Sequence, residues 1–246
     1  MLPHRLPALT AALVLALSHT QASSAAAQTA SVGTDPNAAE RAALITRLAA
    51  LRDDFVAETR SQTDSCAIAP PAIKIMVIPS YGNYDSKSNV IQTESWWLLS
   101  PREKGFMFRL AGPGADEAAA QRVYERGAHQ WVFIHELGHW WQACTSANKR
   151  HTRYDREYDA NRIAAAYWRE HDPAVGQFLM TVFRNVASSP SPVPAGQSAI
   201  AYFNANYDKL LPTPAYSWYQ ATMNVAVSAE SPAPSLAQAL HDSALR

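Results

Sequence analysis

Trp131-Val132-Phe133-Ile134-His135-Glu136-Leu137-Gly138-His139-Trp140-Trp141-Gln142-Ala143 is an apolar run interrupted by two histidines and a single charged residue, Glu136. Such a run suits a buried helix that carries one functional face. Residues four apart on an α-helix lie about 400° apart in rotation, so His135 and His139 share a face one turn apart. Two imidazoles so placed can converge on one Zn²⁺. Glu136, about 100° round the same turn, then reaches a water on the metal instead of the metal itself. Gly138 costs a helix about 1 kcal/mol against Ala, so its presence predicts the close approach of another backbone.

Two histidines leave a catalytic zinc site one protein ligand short. Downstream candidates are His151, Asp155, Glu157 and Asp159. The metzincin pattern requires a third His six residues after His139 and a Gly three after it, and those positions hold Thr145 and Gln142. The run from Tyr154 to Trp168 is strongly helix-forming and rich in alanine. On that helix Glu157 and Asn161 share a face, and Ala160, Ala164 and Ala165 permit tight packing against the first helix. Glu157 can thus complete the coordination sphere while Asn161 orients a ligating imidazole.

In these residues the chain resembles the gluzincin metallopeptidases, in particular the minigluzincins and the relatives of the CAAX prenyl protease. These follow an HExxH helix with a second helix bearing a Glu-x-x-Ala-Asp/Asn run. Here that run is Glu157-Tyr158-Asp159-Ala160-Asn161. The resemblance implies that His135, His139 and Glu157 are ligands of one zinc ion, that Glu136 is the general base, and that Asn161 replaces the commoner Asp. It spans the organisation of residues 70 to 170 but few identities, so it speaks to a catalytic core and not to a substrate. It also implies an α+β, zincin-like fold with a small, mainly antiparallel sheet packed on the HExxH helix. The segment from Asn89 to Thr93 is the implied substrate-pairing edge strand, with an ordinary edge hairpin as the alternative.

The 246 residues carry 21 basic and 21 acidic side chains, which offers no argument for nucleic acid or an anionic membrane as partner. Arg5, the uncharged apolar run from Leu6 to Leu17 and the small residues from Ala22 to Ala27 have the order of a secretory signal, with Ala25-Ala26-Ala27 as the cleavage site. That run is short for a membrane span, and an uncleaved anchor is the alternative. The expectation is a signal peptide at 1–27, then one domain at 28–246 with a catalytic core near 70–170 and a helical part near 171–246. The mature protein would be secreted or periplasmic. In an oxidising compartment the two cysteines pair most simply as a disulfide, Cys66–Cys144, with reduced core thiols as the alternative. Cys144 falls about 140° round the helix from the histidine face, which makes it a poor zinc ligand.

Elsewhere, Leu44, Leu48, Leu51 and Phe55 predict an amphipathic helix from about Ala38 to Glu58. Ile73 to Ile78 reads as a buried strand, Tyr81 to Ser88 as a turn and Asn89 to Leu99 as extended chain. Gly112-Pro113-Gly114 breaks the chain before an acidic helix start, and Gly127 divides the region ahead of the histidines into two helices. Asn148 to Thr152 forms a basic loop, and His171-Asp172-Pro173 ends the Glu157 helix. Proline-rich loops separate later helices, one of them from Tyr216 to Ala229. The resemblance also implies a Tyr or His in this part that stabilises an oxyanion, with His171, Tyr202, Tyr216 and Tyr219 as open candidates.

These features predict a zinc peptidase acting on peptide or protein substrates. A silent metal-binding or interaction protein on the same scaffold and a zinc hydrolase of a non-peptide substrate are the rivals, and other divalent metals suit the same ligands.

Overall fold

The first helix, α1 (Ala38–Gln62), turns Leu44, Leu48 and Phe55 inward as their spacing predicts, with Leu51 half-buried beside them. The structure is a computed structural model that describes residues 35–62, 66–145 and 151–245. The expected signal segment and most of the basic loop before Thr152 lie outside the described residues. From Pro36 onward the chain forms one contact unit.

Three short strands follow α1: β1 (Ala72–Ile75), β2 (Gly82–Asp85) and β3 (Val90–Thr93). The sheet order is β1-β3-β2, with β3 parallel to β1 and antiparallel to β2. The sheet is therefore mixed, not mainly antiparallel. The turn expected at Tyr81 to Ser88 contains β2, and the segment Asn89 to Thr93 lies in the sheet centre instead of at its edge. The physical cause is the tight β2–β3 hairpin. Asp85 accepts from the Lys87 N–H (3.0 Å) and the Ser88 hydroxyl (2.6 Å), and Asn89 adopts a φ of 53°, so β3 folds straight back into the space beside β1. Both edges of β3 are then filled.

After a 3-10 turn at Trp96–Leu98 comes α2 (Pro101–Ala111). Ser100 and Glu103 close a reciprocal capping box at its start, a signal carried by Ser100-Pro101-Arg102-Glu103 that marks where extended chain gives way to helix. Gly112 ends α2 with a φ of 101°, where a side chain would be strained. Asp116 caps α3 (Glu117–Tyr124) by accepting from the Ala119 N–H. Gly127 does not divide the next stretch. The chain runs through a π-helical segment, Glu125–Val132, directly into α4 (Phe133–Cys144).

Helix α4 is buried from Phe133 to Gly138 and again from Trp140 to Gln142. Its indoles are tied at both ends: Trp140 Nε1 donates to Ala69 O and Trp141 Nε1 to Leu240 O, each at 3.0 Å. Against it lies α5 (Arg153–His171), which starts at a Thr152–Asp155 capping box and ends where His171-Asp172-Pro173 predicts. A Cβ at Gly138 would sit 3.3 Å from Ala160 Cα and 3.4 Å from its Cβ, so this glycine and the alanines of α5 together permit the expected close approach.

The remaining helices are α6 (Pro173–Ala187), α7 (Ala199–Leu210), α8 (Pro214–Ser228) and α9 (Leu236–Leu245). Buried Arg162 of α5 holds this part in place, donating from Nε to Glu230 and from Nη1 to Asp242, both at 3.0 Å. Cys66 and Cys144 are disulfide-bonded with a sequence separation of 78, which ties the chain ahead of β1 to the end of α4. Closing a loop of that length removes unfolded-state entropy of about 4 kcal/mol. Among the described residues no helix is long and apolar enough to cross a membrane. The fold is α+β, with a small sheet on one side of a predominantly helical body.

Candidate metal centre

His135 and His139 lie on adjacent turns of α4 with their rings 4.7 Å apart and mutually perpendicular. Glu157, from the second turn of α5, enters between them. Its Oε2 lies 3.1 Å from His135 Nε2 and 3.6 Å from His139 Nε2. The three side chains offer ligand atoms that all fall within 4.8 Å of one another, a group that could hold a metal ion. Two imidazole nitrogens and a carboxylate oxygen form a donor set that suits zinc and leaves a coordination position open.

Both rings are oriented from behind. Asn161 Oδ1 lies 3.1 Å from His135 Nδ1, and Gln142 Oε1 lies 2.9 Å from His139 Nδ1. An amide oxygen can only accept, so each Nδ1 donates its proton there, and each Nε2 is the nitrogen turned to the centre, where it would bind a metal once its own proton is lost. Asn161 thus sits where the sequence places it. Sequence reasoning missed Gln142, although its position three residues beyond His139 on one helix face is a local signal. Its amide Nε2 donates onward to Arg156 O at 2.9 Å, fixing α4 to α5.

Glu157 is buried and surrounded by donors. Tyr207 donates to Oε1 at 2.7 Å; Tyr216 and Gln220 donate to Oε2 at 3.0 and 2.8 Å. Gln220 Oε1 in turn accepts from Asn161 Nδ2 at 2.7 Å, which closes the network. Burial opposes ionisation of Glu157, but the His139 and His135 imidazoles outweigh it and hold the carboxyl well below its usual range. Burial likewise opposes a charge on His139, yet the neighbouring Glu157 carboxylate brings that imidazole up to about 9. Tyr207 and Tyr216 are pushed upward by burial and by the Glu157 charge, so both phenols stay protonated and donate.

Glu136 points to the same cleft, buried but not bonded to the histidines. Its Oε2 accepts from the Tyr84 backbone N–H of β2 at 2.7 Å. A Cβ at Gly82 would fall 2.5 Å from Val132 Cγ1 and 3.3 Å from Glu136 Cγ, so glycine there lets β2 lie against α4. The strand that borders the cleft is β2, through Gly82, Asn83 and Tyr84.

The cleft has a volume of about 690 Å³. At one end Phe106, Met107, Val123, Leu179, Val182 and Phe183 make an apolar chamber. The metal-site residues line the same cleft, as do Gln142, Arg156, Tyr207 and Pro212. Of the four candidate oxyanion groups, Tyr216 alone lines this space. His171 stacks on Tyr167 at 4.1 Å near Asp54, Tyr219 donates to Ala199 O, and Tyr202 packs into the aromatic cluster around Phe203. Tyr207 and Gln220 also escape sequence reasoning. They lie 50 and 63 residues from Glu157, and no local pattern links them to it. His151 and Asp159, candidate ligands in the sequence, face each other at 3.5 Å away from the cleft lining, and Asp155 caps α5.

No protein-family model, curated protein or solved structure matches this chain.

Proposed function

We propose that the protein is a secreted zinc-dependent peptidase of gluzincin type. The observation that carries this reading is the convergence of His135 Nε2, His139 Nε2 and a Glu157 carboxylate oxygen in one cleft beside a separately held carboxylate, Glu136. A retired metal site has no need of that fourth group. A zinc ion held by His135, His139 and Glu157 would supply a Lewis acid that polarises a carbonyl and acidifies water. Every other task falls to the chain.

Glu136 keeps one oxygen on the Tyr84 N–H, which leaves the other to accept a proton from the attacking water and to deliver it to the leaving amine. Tyr216 and Tyr207 keep their protons and stand at the cleft wall; each donates its one O–H to Glu157, and turning that O–H from the carboxylate would make either the donor to a developing oxyanion. Main-chain pairing by an extended substrate falls on β2, which borders the cleft, and not on β3. The apolar chamber accommodates bulky side chains on one side of the reacting bond. Secretion accords with the Cys66–Cys144 bond, since disulfides persist in oxidising compartments.

The test is Glu136→Gln in the zinc-loaded protein, assayed on a diverse peptide mixture with and without chelator. Zinc content should be unchanged and turnover should fall about 10³-fold, whereas His139→Ala should lose the metal as well. Chelator-sensitive cleavage that survives in Glu136→Gln would overturn the mechanism.

A further inference from the structure

Arg126 and Arg156 are the two arginines among the described residues with a buried guanidinium nitrogen that has no hydrogen-bond partner, and of the two only Arg156 lines the cleft. Arg52 pairs with Asp53, Arg153 with Asp208, Lys104 with Glu117, and Arg162 with Glu230 and Asp242. The Arg156 guanidinium has no such carboxylate among the described residues, and its Nε is buried with no hydrogen-bond partner. Yet it lines the cleft. A buried guanidinium nitrogen without an acceptor is costly, and it asks for one.

Its place is set by the metal centre. Arg156 precedes Glu157 in the chain, so their Cα atoms lie about 3.8 Å apart. Its main-chain oxygen accepts from Gln142, the same side chain that orients His139. Along α4 the cleft passes from Ala128 and Trp131 in the apolar chamber, through His135 and His139, to Gln142. His139 and Gln142 are separated by about 4.5 Å of helix rise. Arg156 therefore lies toward the Gln142 end of the lining, opposite the chamber and within about one helical turn of His139 along α4. The planar guanidinium presents a fork of donors that matches a carboxylate bidentately. Arg102 and Arg109 also border the cleft, but on α2 and well exposed, so solvent satisfies them.

We propose that Arg156 recognises a substrate carboxylate within two residues of the reacting bond, supplied by a free peptide C-terminus or by an acidic side chain. The substrate class is then a peptide with bulky apolar residues on one side of the bond and a carboxylate close on the other. This rests on the peptidase reading of the same site, and the test separates the two.

The experiment is equilibrium binding, by calorimetry, to zinc-loaded Glu136→Gln protein, so that the readout does not depend on turnover. The probes are acetyl-Leu-Phe-Ala-Ala with a free carboxylate, its C-terminal amide, acetyl-Leu-Phe-Glu-amide and acetyl-Leu-Phe-Gln-amide. At least one carboxylate peptide should bind about 10- to 100-fold more tightly than its neutral twin, the range for a hydrogen bond between charged groups. Which pair shows it identifies the source of the carboxylate. Arg156→Met should erase the preference and leave the affinity of the neutral twin within about twofold, while Arg156→Lys, with charge but no fork, should keep part of it. Equal binding within both pairs, no binding of any probe, or a preference that persists in Arg156→Met because the metal takes the carboxylate would each overturn the proposal. Cleavage of the same peptides by the unsubstituted zinc-loaded protein is scored in parallel. An Arg156-dependent preference without cleavage supports this site and overturns the peptidase reading; cleavage without the preference does the reverse.

Discussion

Glu157 and Glu94 are both buried carboxyls, and the molecule treats them in opposite ways. Glu157 is met by two imidazoles, two phenols and an amide. Glu94, one residue beyond β3, is 0 % exposed, and neither of its oxygens has a hydrogen-bond partner among the described residues. Ser95 Oγ and Tyr124 Oη are equally unsatisfied. Burial is common to both sites, so burial does not explain the difference; the donors do. With them Glu157 remains ionised. Without them burial, assisted by the Glu103 charge, lifts Glu94 to about 7. A fully partnered polar cluster is pre-organised for a ligand, whereas an unpartnered one is a stability cost that the rest of the core must offset.

The largest expected effect comes from breaking the satisfied cluster at its least obvious member. Asn161→Leu removes the acceptor of His135 Nδ1–H and frees the ring. Zinc affinity, measured by competition with a chromophoric chelator, should fall between about 10- and 100-fold. An unchanged affinity would mean that the ring needs no support, and the contrast with Glu94 would lose its meaning.

A second prediction concerns the helix contact beneath the cluster. Gly138→Val forces side-chain atoms against Ala160, and overpacking of this kind should cost about 1–3 kcal/mol in a urea titration. Gly127→Ala is its control. A Cβ there meets nothing within 4 Å, and the substitution should be neutral or stabilise by up to about 1 kcal/mol. Equal losses at both glycines would show that the α4–α5 approach is not special.

The smallest effect belongs to Glu94. Its folded pKa lies above the unfolded value, so between about 4.5 and 7 the folded state binds more protons than the unfolded one. Stability should therefore decline as pH rises through that window. Glu94→Gln, neutral throughout, should stabilise the protein at pH 8 on the order of 1 kcal/mol and give no such gain at pH 5. Thermal unfolding at the two pH values checks this. A gain of equal size at both would assign the effect to packing instead of charge.

Legibility in the sequence followed the range of each interaction. His135, Glu136, His139, Glu157 and Asn161 each belong to a pattern within a single helix, and the 3.6-residue period converts such spacing into a shared face without reference to the rest of the fold. Gly138 and the alanines of α5 announced a close helix contact for the same reason. Gln142, nearly one turn beyond His139, carried the same kind of local signal, but sequence reasoning missed it. The strand order was not. Whether β3 lies at an edge or at the centre depends on where β1 waits when the hairpin closes, and no property of Val90 to Thr93 encodes that.

The chain's own pattern thus specified a helix bearing two histidines and a glutamate, a second helix able to complete the set, and a pair of cysteines suited to a disulfide. Tertiary packing supplied the rest: Tyr207, Tyr216 and Gln220 delivered to Glu157 from 50 to 63 residues away, the Tyr84 N–H placed on Glu136, and Arg156 left in the cleft lining with its Nε unpartnered among the described residues. The physical reason is that helix periodicity is local, whereas the satisfaction of a buried charge depends on whichever distant donors the folded chain brings to it.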